Sequence, residues 1–91
     1  MRKIEDGIRE AQDFPSCIKW INEVDRGKGK SFLEKAFKRL LLRRAIDRAT
    51  SVTECEKVIE MIPNLDIDDD GEKHSAAITG LAIMKKNALL R

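Results

Sequence analysis

The stretch IREAQDFPSCIKWINEVD, residues 8–25, lies over IDRATSVTECEKVIEMIP, residues 46–63, without a gap and at a fixed offset of 38. Ile8 meets Ile46, Ala11 meets Ala49, Cys17 meets Cys55, Lys19 meets Lys57 and Ile21 meets Ile59. Phe14, Trp20 and Val24 fall on Val52, Val58 and Ile62, so apolar meets apolar. A period of this size is that of a helical hairpin. Stacked hairpins build binding surfaces by adding neighbour to neighbour. The spacing predicts two units, one over about 8–45 and one over about 46–90, in a single domain of 1–91.

Working outward from the overlay, every periodic segment is helical. Apolar residues recur at i, i+3, i+4 and i+7 in Phe14, Cys17, Ile18, Ile21 and Val24. Five helices are expected: about Arg2–Gln12, Phe14–Val24, Ser31–Ala49, Ser51–Ile62 and Lys73–Leu90. Asp13 caps the second, with Pro15 tolerated in its first turn. Ser31 with Glu34, and Ser51 with Glu54, read as capping boxes. Pro63 closes the fourth helix. Along the third, Leu33, Ala36, Phe37, Leu40 and Leu41 form one apolar stripe. Leu42, Ala45, Ile46 and Ala49 form another, roughly opposite, as if the two halves faced different neighbours. In the last helix, Ala77, Leu81 and Met84 are expected inward, with Ile78 as a further candidate. The second halves of the units align at an offset of 44, Ser31 on Ser75, Phe37 on Leu81 and Leu40 on Met84. The fold class is all-α, with two αα-hairpins stacked as a short right-handed solenoid or a compact helical bundle.

The 91 residues are 42% apolar and 37% charged, with three Phe, one Trp and no Tyr, a composition that argues against an all-β fold. Net charge is +2, but unevenly placed. Met1–Ile46 carries twelve basic and seven acidic residues, net +5; Asp47–Arg91 carries six and nine, net −3. Arg26–Arg48 alone holds nine basic and two acidic residues, net +7. Such asymmetry marks either a polyanion-binding face or a solvated helix surface. Cys17 and Cys55 sit inside apolar helical patterns and read as reduced core thiols of an intracellular, cytoplasmic or organellar protein. No apolar run reaches the ~20 residues that span a bilayer, so no membrane partner is expected.

Three local patterns invite chemistry. Asp66, Asp68, Asp70 and Gly71 reproduce the first half of a calcium loop. The second half fails, with Lys73 where an apolar residue belongs and Ala77 where the bidentate Glu belongs. The bland alternative is a polar turn whose acids favour the start of the last helix. Gly29-Lys30-Ser31 ends like a phosphate loop but lacks its first glycine, Val24 standing there, and lacks a preceding strand. His74, the single histidine, has no Cys or second His at ligand spacing. Nothing supports general acid–base catalysis, so no enzyme, cofactor or small-molecule substrate is expected.

The basic segment is the candidate site. Lys35, Arg39 and Arg43 are spaced i, i+4, i+8 on the side of the third helix away from Leu33, Phe37 and Leu40, with Lys38 beside them. Lys28 and Lys30 extend the patch and Arg44 lies at its margin. No aromatic residue interleaves it, so the expected mode is contact with the backbone of structured RNA rather than base stacking.

The second unit resembles the helical repeats of organellar RNA-binding proteins, the octotricopeptide and Fas-activated-kinase-like group related to pentatricopeptide repeats. The resemblance lies in Arg48-Ala-Thr-Ser-Val-Thr-Glu54 and in His74-Ser-Ala-Ala-Ile-Thr-Gly-Leu-Ala82, about forty residues in all. The first unit departs from it, with Lys30-Ser-Phe-Leu33 where the second has His74-Ser-Ala-Ala77. Such arrays also count three or more units. The resemblance implies an αα fold and an RNA or ribonucleoprotein partner. The alternative from the residues themselves is a protein–protein adaptor or helical-bundle regulator, open to self-association.

Overall fold

The computed structural model describes residues 2–26, 32–69 and 71–91. Its elements are α1 (Arg2–Glu10), α2 (Phe14–Arg26), α3 (Phe32–Arg48), α4 (Val52–Met61), a 3-10 turn (Ile62–Asn64) and α5 (His74–Leu89). No strand is present among the described residues; Asp69 and Glu72 form an isolated bridge. The protein is all-α, as the periodicity predicts.

The ends of the helices follow the polar residues. Asp13 accepts the Ser16 amide at 2.8 Å and starts α2. Ser51 accepts the Glu54 amide at 3.2 Å. The carboxylate of Glu54 reaches back one residue further than a standard box, accepting the Thr50 amide at 2.7 Å. Pro63 ends the regular helix, and the chain tightens into a 3-10 turn instead of stopping. Ser31 lies outside the described residues.

α2 and α3 form one antiparallel pair, α4 and α5 another. The directions follow from the ties between them. Lys38 in α3 reaches Asp25 near the end of α2, whereas Arg44 further along α3 donates to the carbonyls of Ile8 and Ala11, ahead of α2. Lys86 late in α5 meets Glu56 early in α4. α5 also lies beside α3 and runs with it: Arg39 holds the linker before α5, and Lys85 donates to the Asp47 carbonyl at 3.1 Å. The whole measures 41 × 31 × 16 Å, a slab about two helices thick.

The core joins α1 to α5 through Ile8, Cys17, Ile21, Val24, Leu41, Leu42, Ile46, Cys55, Val58, Ile67 and Ile78. Three pairs of the overlay at 38 are buried in both members, Cys17 and Cys55, Ala11 and Ala49, and Ile8 and Ile46, whereas Ile21 is buried and Ile59 only half-buried. Gly7 is required where it stands, because an added Cβ would run into the Trp20 ring. Its absence lets α1 lie against α2.

Two expectations about faces are corrected. α3 does not exchange one face for another partway along. Leu42, Ala45, Ile46 and Ala49 are buried as expected, but Leu33 and Leu40 face solvent, 53% and 45% exposed. Of that expected stripe Leu41 is buried and Phe37 packs on the core, but two cations also turn inward: Lys38 is wholly buried and Arg39 is 7% exposed. In α5 the inward residues are Ile78 and Ala82, while Leu81 and Met84 are 43% and 69% exposed and Ala77 faces out.

Candidate interaction surface

The basic residues of α3 act mostly on the protein itself. Lys35 donates to the Asp68 carbonyl at 3.2 Å and lies 3.6 Å from the Asp66 carboxylate. Lys38 pairs with Asp25 at 3.0 Å. Arg39 donates to the Ile67 carbonyl at 2.8 Å and to the Asp69 carboxylate at 3.2 Å. Arg44, half-buried, holds the end of α1. Arg43 is exposed. Lys28 and Lys30 lie outside the described residues. The solvent-facing stripe expected of Lys35, Arg39 and Arg43 therefore does not form as such. Burying a cation is tolerable only with a close partner. Four carboxylates and carbonyls of the linker, together with Asp25, supply those partners.

The linker is shaped by these ties. Ile67 is buried and anchors it. Glu72 donates its amide to the Asp69 carbonyl at 3.0 Å, and Gly71 takes φ +80°, a conformation that suits glycine. Asp68 caps α5 from seven residues away, accepting the Ser75 amide at 2.7 Å and its hydroxyl at 2.8 Å. These two bonds hold the Asp68 carboxyl below its ordinary range, the amide first. The candidate calcium ligands are thus turned to other tasks: Asp66 faces Lys35, Asp68 faces Ser75, and Asp70 lies outside the described residues. A different trio converges nearby, Asp69, Glu72 and His74, with one ligand atom each within 4.8 Å. His74 Nε2 is 2.8 Å from Glu72 and 3.7 Å from Asp69, and Arg39 already sits on Asp69.

The thiols are core groups. Cys17 donates to the Ala11 carbonyl at 3.5 Å, and both Cys17 and Cys55 are wholly buried and free. Burial pushes both thiols above their ordinary range.

What the sequence reading missed is the outer side of α5. From His74 to Met84 the helix carries no Asp, Glu, Lys or Arg. Leu81, Ile83 and Met84 are exposed, at 43%, 44% and 69%. Beside them runs an open groove of about 570 Å3, lined by Ile62, Pro63, Leu65, Asp68, Thr79, Gly80 and Ile83 among others. Gly80 sits in mid-helix, and an added Cβ there would meet nothing within 4 Å. The uncharged run HSAAITGLAIM was the available signal; it looked like core because a core helix has the same composition. A second groove of about 410 Å3 between α2 and α4 is lined by Phe14, Ile18, Thr53, Glu54 and Lys57, and so carries charge.

No protein-family model matches this chain, and no match to it is found among curated proteins or solved structures. No helix among the described residues is long and apolar enough to cross a membrane.

Proposed function

We propose that this protein is a non-enzymatic helical interaction module that docks a protein partner through the open edge of α5. The observation that carries this is the uncharged edge itself: Leu81, Ile83 and Met84 exposed beside a groove floored by Ile62, Leu65 and Gly80. Exposed apolar surface of this contiguity is a feature of interaction sites. A groove flanked by knobs supplies the shape that a well-packed interface core needs. Binding of RNA or a ribonucleoprotein through Lys28–Arg44, the function the sequence favours, has lost much of its support. Lys35, Lys38, Arg39 and Arg44 are engaged within the chain, which leaves Arg43 exposed among the described members of the patch.

A photo-crosslinking residue placed at Met84 in the cell tests the docking edge, with one at exposed Glu23 as the control. The expected result is an adduct of defined mass at position 84, absent at 23 and abolished by Gly80→Leu. Equal labelling at both positions, or none at 84, removes the reading.

A further inference from the structure

We propose that Asp69, Glu72 and His74 form a binding site for one divalent transition ion of the zinc class, a clip at the corner where the linker turns into α5.

The backbone builds this corner before any side chain acts. Glu72 donates its amide to the Asp69 carbonyl at 3.0 Å, and the two residues form an isolated antiparallel bridge. Gly71 lies in this turn at φ +80°, where a side chain would be strained. His74 opens α5 two positions after Glu72. Asp68 fixes that opening by capping it at Ser75. One imidazole and two carboxylates are thereby brought together, with a ligand atom of each inside 4.8 Å.

His74 points to a metal rather than to one more ion pair. Its Nε2 is buried and makes no hydrogen bond. The Glu72 oxygen is 2.8 Å away but off the line of a hydrogen bond, and the Asp69 oxygen is 3.7 Å away. A buried polar atom left in this way calls for a partner. A cation between the nitrogen and the two oxygens is such a partner: the imidazole gives it a lone pair and the carboxylates give it negative charge. Zinc bonds of about 2.0–2.2 Å at tetrahedral angles set neighbouring ligand atoms about 3.3 Å apart. The observed 2.8 and 3.7 Å stand on either side of that spacing. Glu72, with its side chain 69% exposed, has room to make the small adjustment.

The donor set selects the ion. Imidazole with carboxylates suits zinc and its transition-metal neighbours, whereas calcium takes only oxygen ligands and more of them. Arg39 holds Asp69 at 3.2 Å, the kind of support that ligating carboxylates commonly have. Three protein ligands leave a tetrahedral ion one position for water or for a group brought from outside. Asp68 and Ser75, next in sequence to Asp69 and His74, line the α5 groove, so an ion at this corner stiffens one wall of it.

Titration of the untagged full chain with zinc chloride, followed by proton NMR in a non-coordinating buffer, is the test. His74 is the single histidine of the sequence, so the imidazole signals report this site alone. Cys17 and Cys55 are buried and do not compete in the folded chain. The expected result is a shift of both ring signals that saturates at one ion per chain and persists in excess calcium. Glu72→Gln and Asp69→Asn should each weaken binding at least roughly tenfold while leaving far-UV circular dichroism unchanged. If Asp69→Asn disturbs the fold, Glu72→Gln, on an exposed side chain, decides alone. Ring signals that stay in place up to about 1 mM zinc overturn the site. A shift that Glu72→Gln keeps at wild-type affinity overturns it too, since a lone imidazole would then account for the binding. Displacement of zinc by calcium overturns the class of ion.

Discussion

Lys38 and Asp25 show how a single pair shapes α3. The ammonium is wholly buried, 3.0 Å from a carboxylate that remains 40% exposed. Such a pair is asymmetric in its response to mutation. Removing the acid strands a charge in the core, whereas replacing the base by an isosteric apolar residue removes the need for the acid. Lys38→Met is therefore expected to be near neutral in chemical denaturation. Asp25→Ala is expected to cost about 2 kcal/mol more than Lys38→Met, a partly solvated version of the loss seen when buried pairs are broken. Equal destabilisation by the two would mean that the stem of Lys38, not its charge, does the packing. From the sequence, Lys38 was one cation among nine in Arg26–Arg48. Nothing local to it announces a partner thirteen residues away.

At the scale of elements, the helices that declare themselves best are those with capping residues. Asp13, Ser51 and Pro63 stand at the boundaries they predict. The start of α5 is different, because its cap comes from Asp68 through the linker rather than from the residue before it. That arrangement has a pH signature. The Asp68 carboxyl is held below its ordinary range in the folded state by Ser75, so its contribution is present above the unfolded carboxylate range and is lost as pH falls through the lowered folded value. Asp68→Ala should cost about 1 kcal/mol at neutral pH, the usual worth of a helix cap. The difference between wild type and variant should shrink below about pH 4, where Asp68 protonates in the unfolded chain. Thermal melts at pH 7, 5 and 3 measure this; a gap that is constant across the three would exclude the carboxylate as the cause.

The faces of α3 and α5 were harder to read than their existence. In α5 the residues from Ser75 to Met84 are apolar or small on nearly every side, so periodicity gives no preferred direction. Lys85 and Lys86 choose it, one bonding the Asp47 carbonyl and the other pairing with Glu56. In α3 a stripe of leucines competes with a stripe of cations for the interior. The cations win in the first half because Asp25, Asp66 and Asp69 stand ready to meet them.

For the molecule as a whole, the uneven charge of the sequence has a structural meaning. Two of the nine basic residues of Arg26–Arg48, Lys35 and Arg39, meet Asp66 and Asp69 of the linker, so part of the asymmetry is spent in joining the second hairpin to the first. Arg39→Glu should therefore lower the melting temperature sharply, since it breaks the ties to Ile67 and Asp69 and buries a like charge against an acid. Arg43→Glu, on an exposed position, should leave stability within about 0.5 kcal/mol. Titration with structured RNA at two salt concentrations separates the functional readings. Under the docking proposal, wild type and Arg43→Glu bind equally weakly. A salt-dependent affinity that Arg43→Glu reduces would restore the basic face as an RNA site.

The fold class, the five helices found among the described residues and most of their ends are legible in the residues alone, because period, caps and prolines act over a few positions. So are the core of the second half of α3 and the paired cysteines. Which side of α3 and α5 turns inward, and so which apolar residues stay exposed, emerges only when the helices pack. The physical reason is range. Whether a lysine or arginine can be buried depends on a carboxylate or carbonyl elsewhere in the chain, and whether a leucine stays exposed depends on what else fills the space it could have taken.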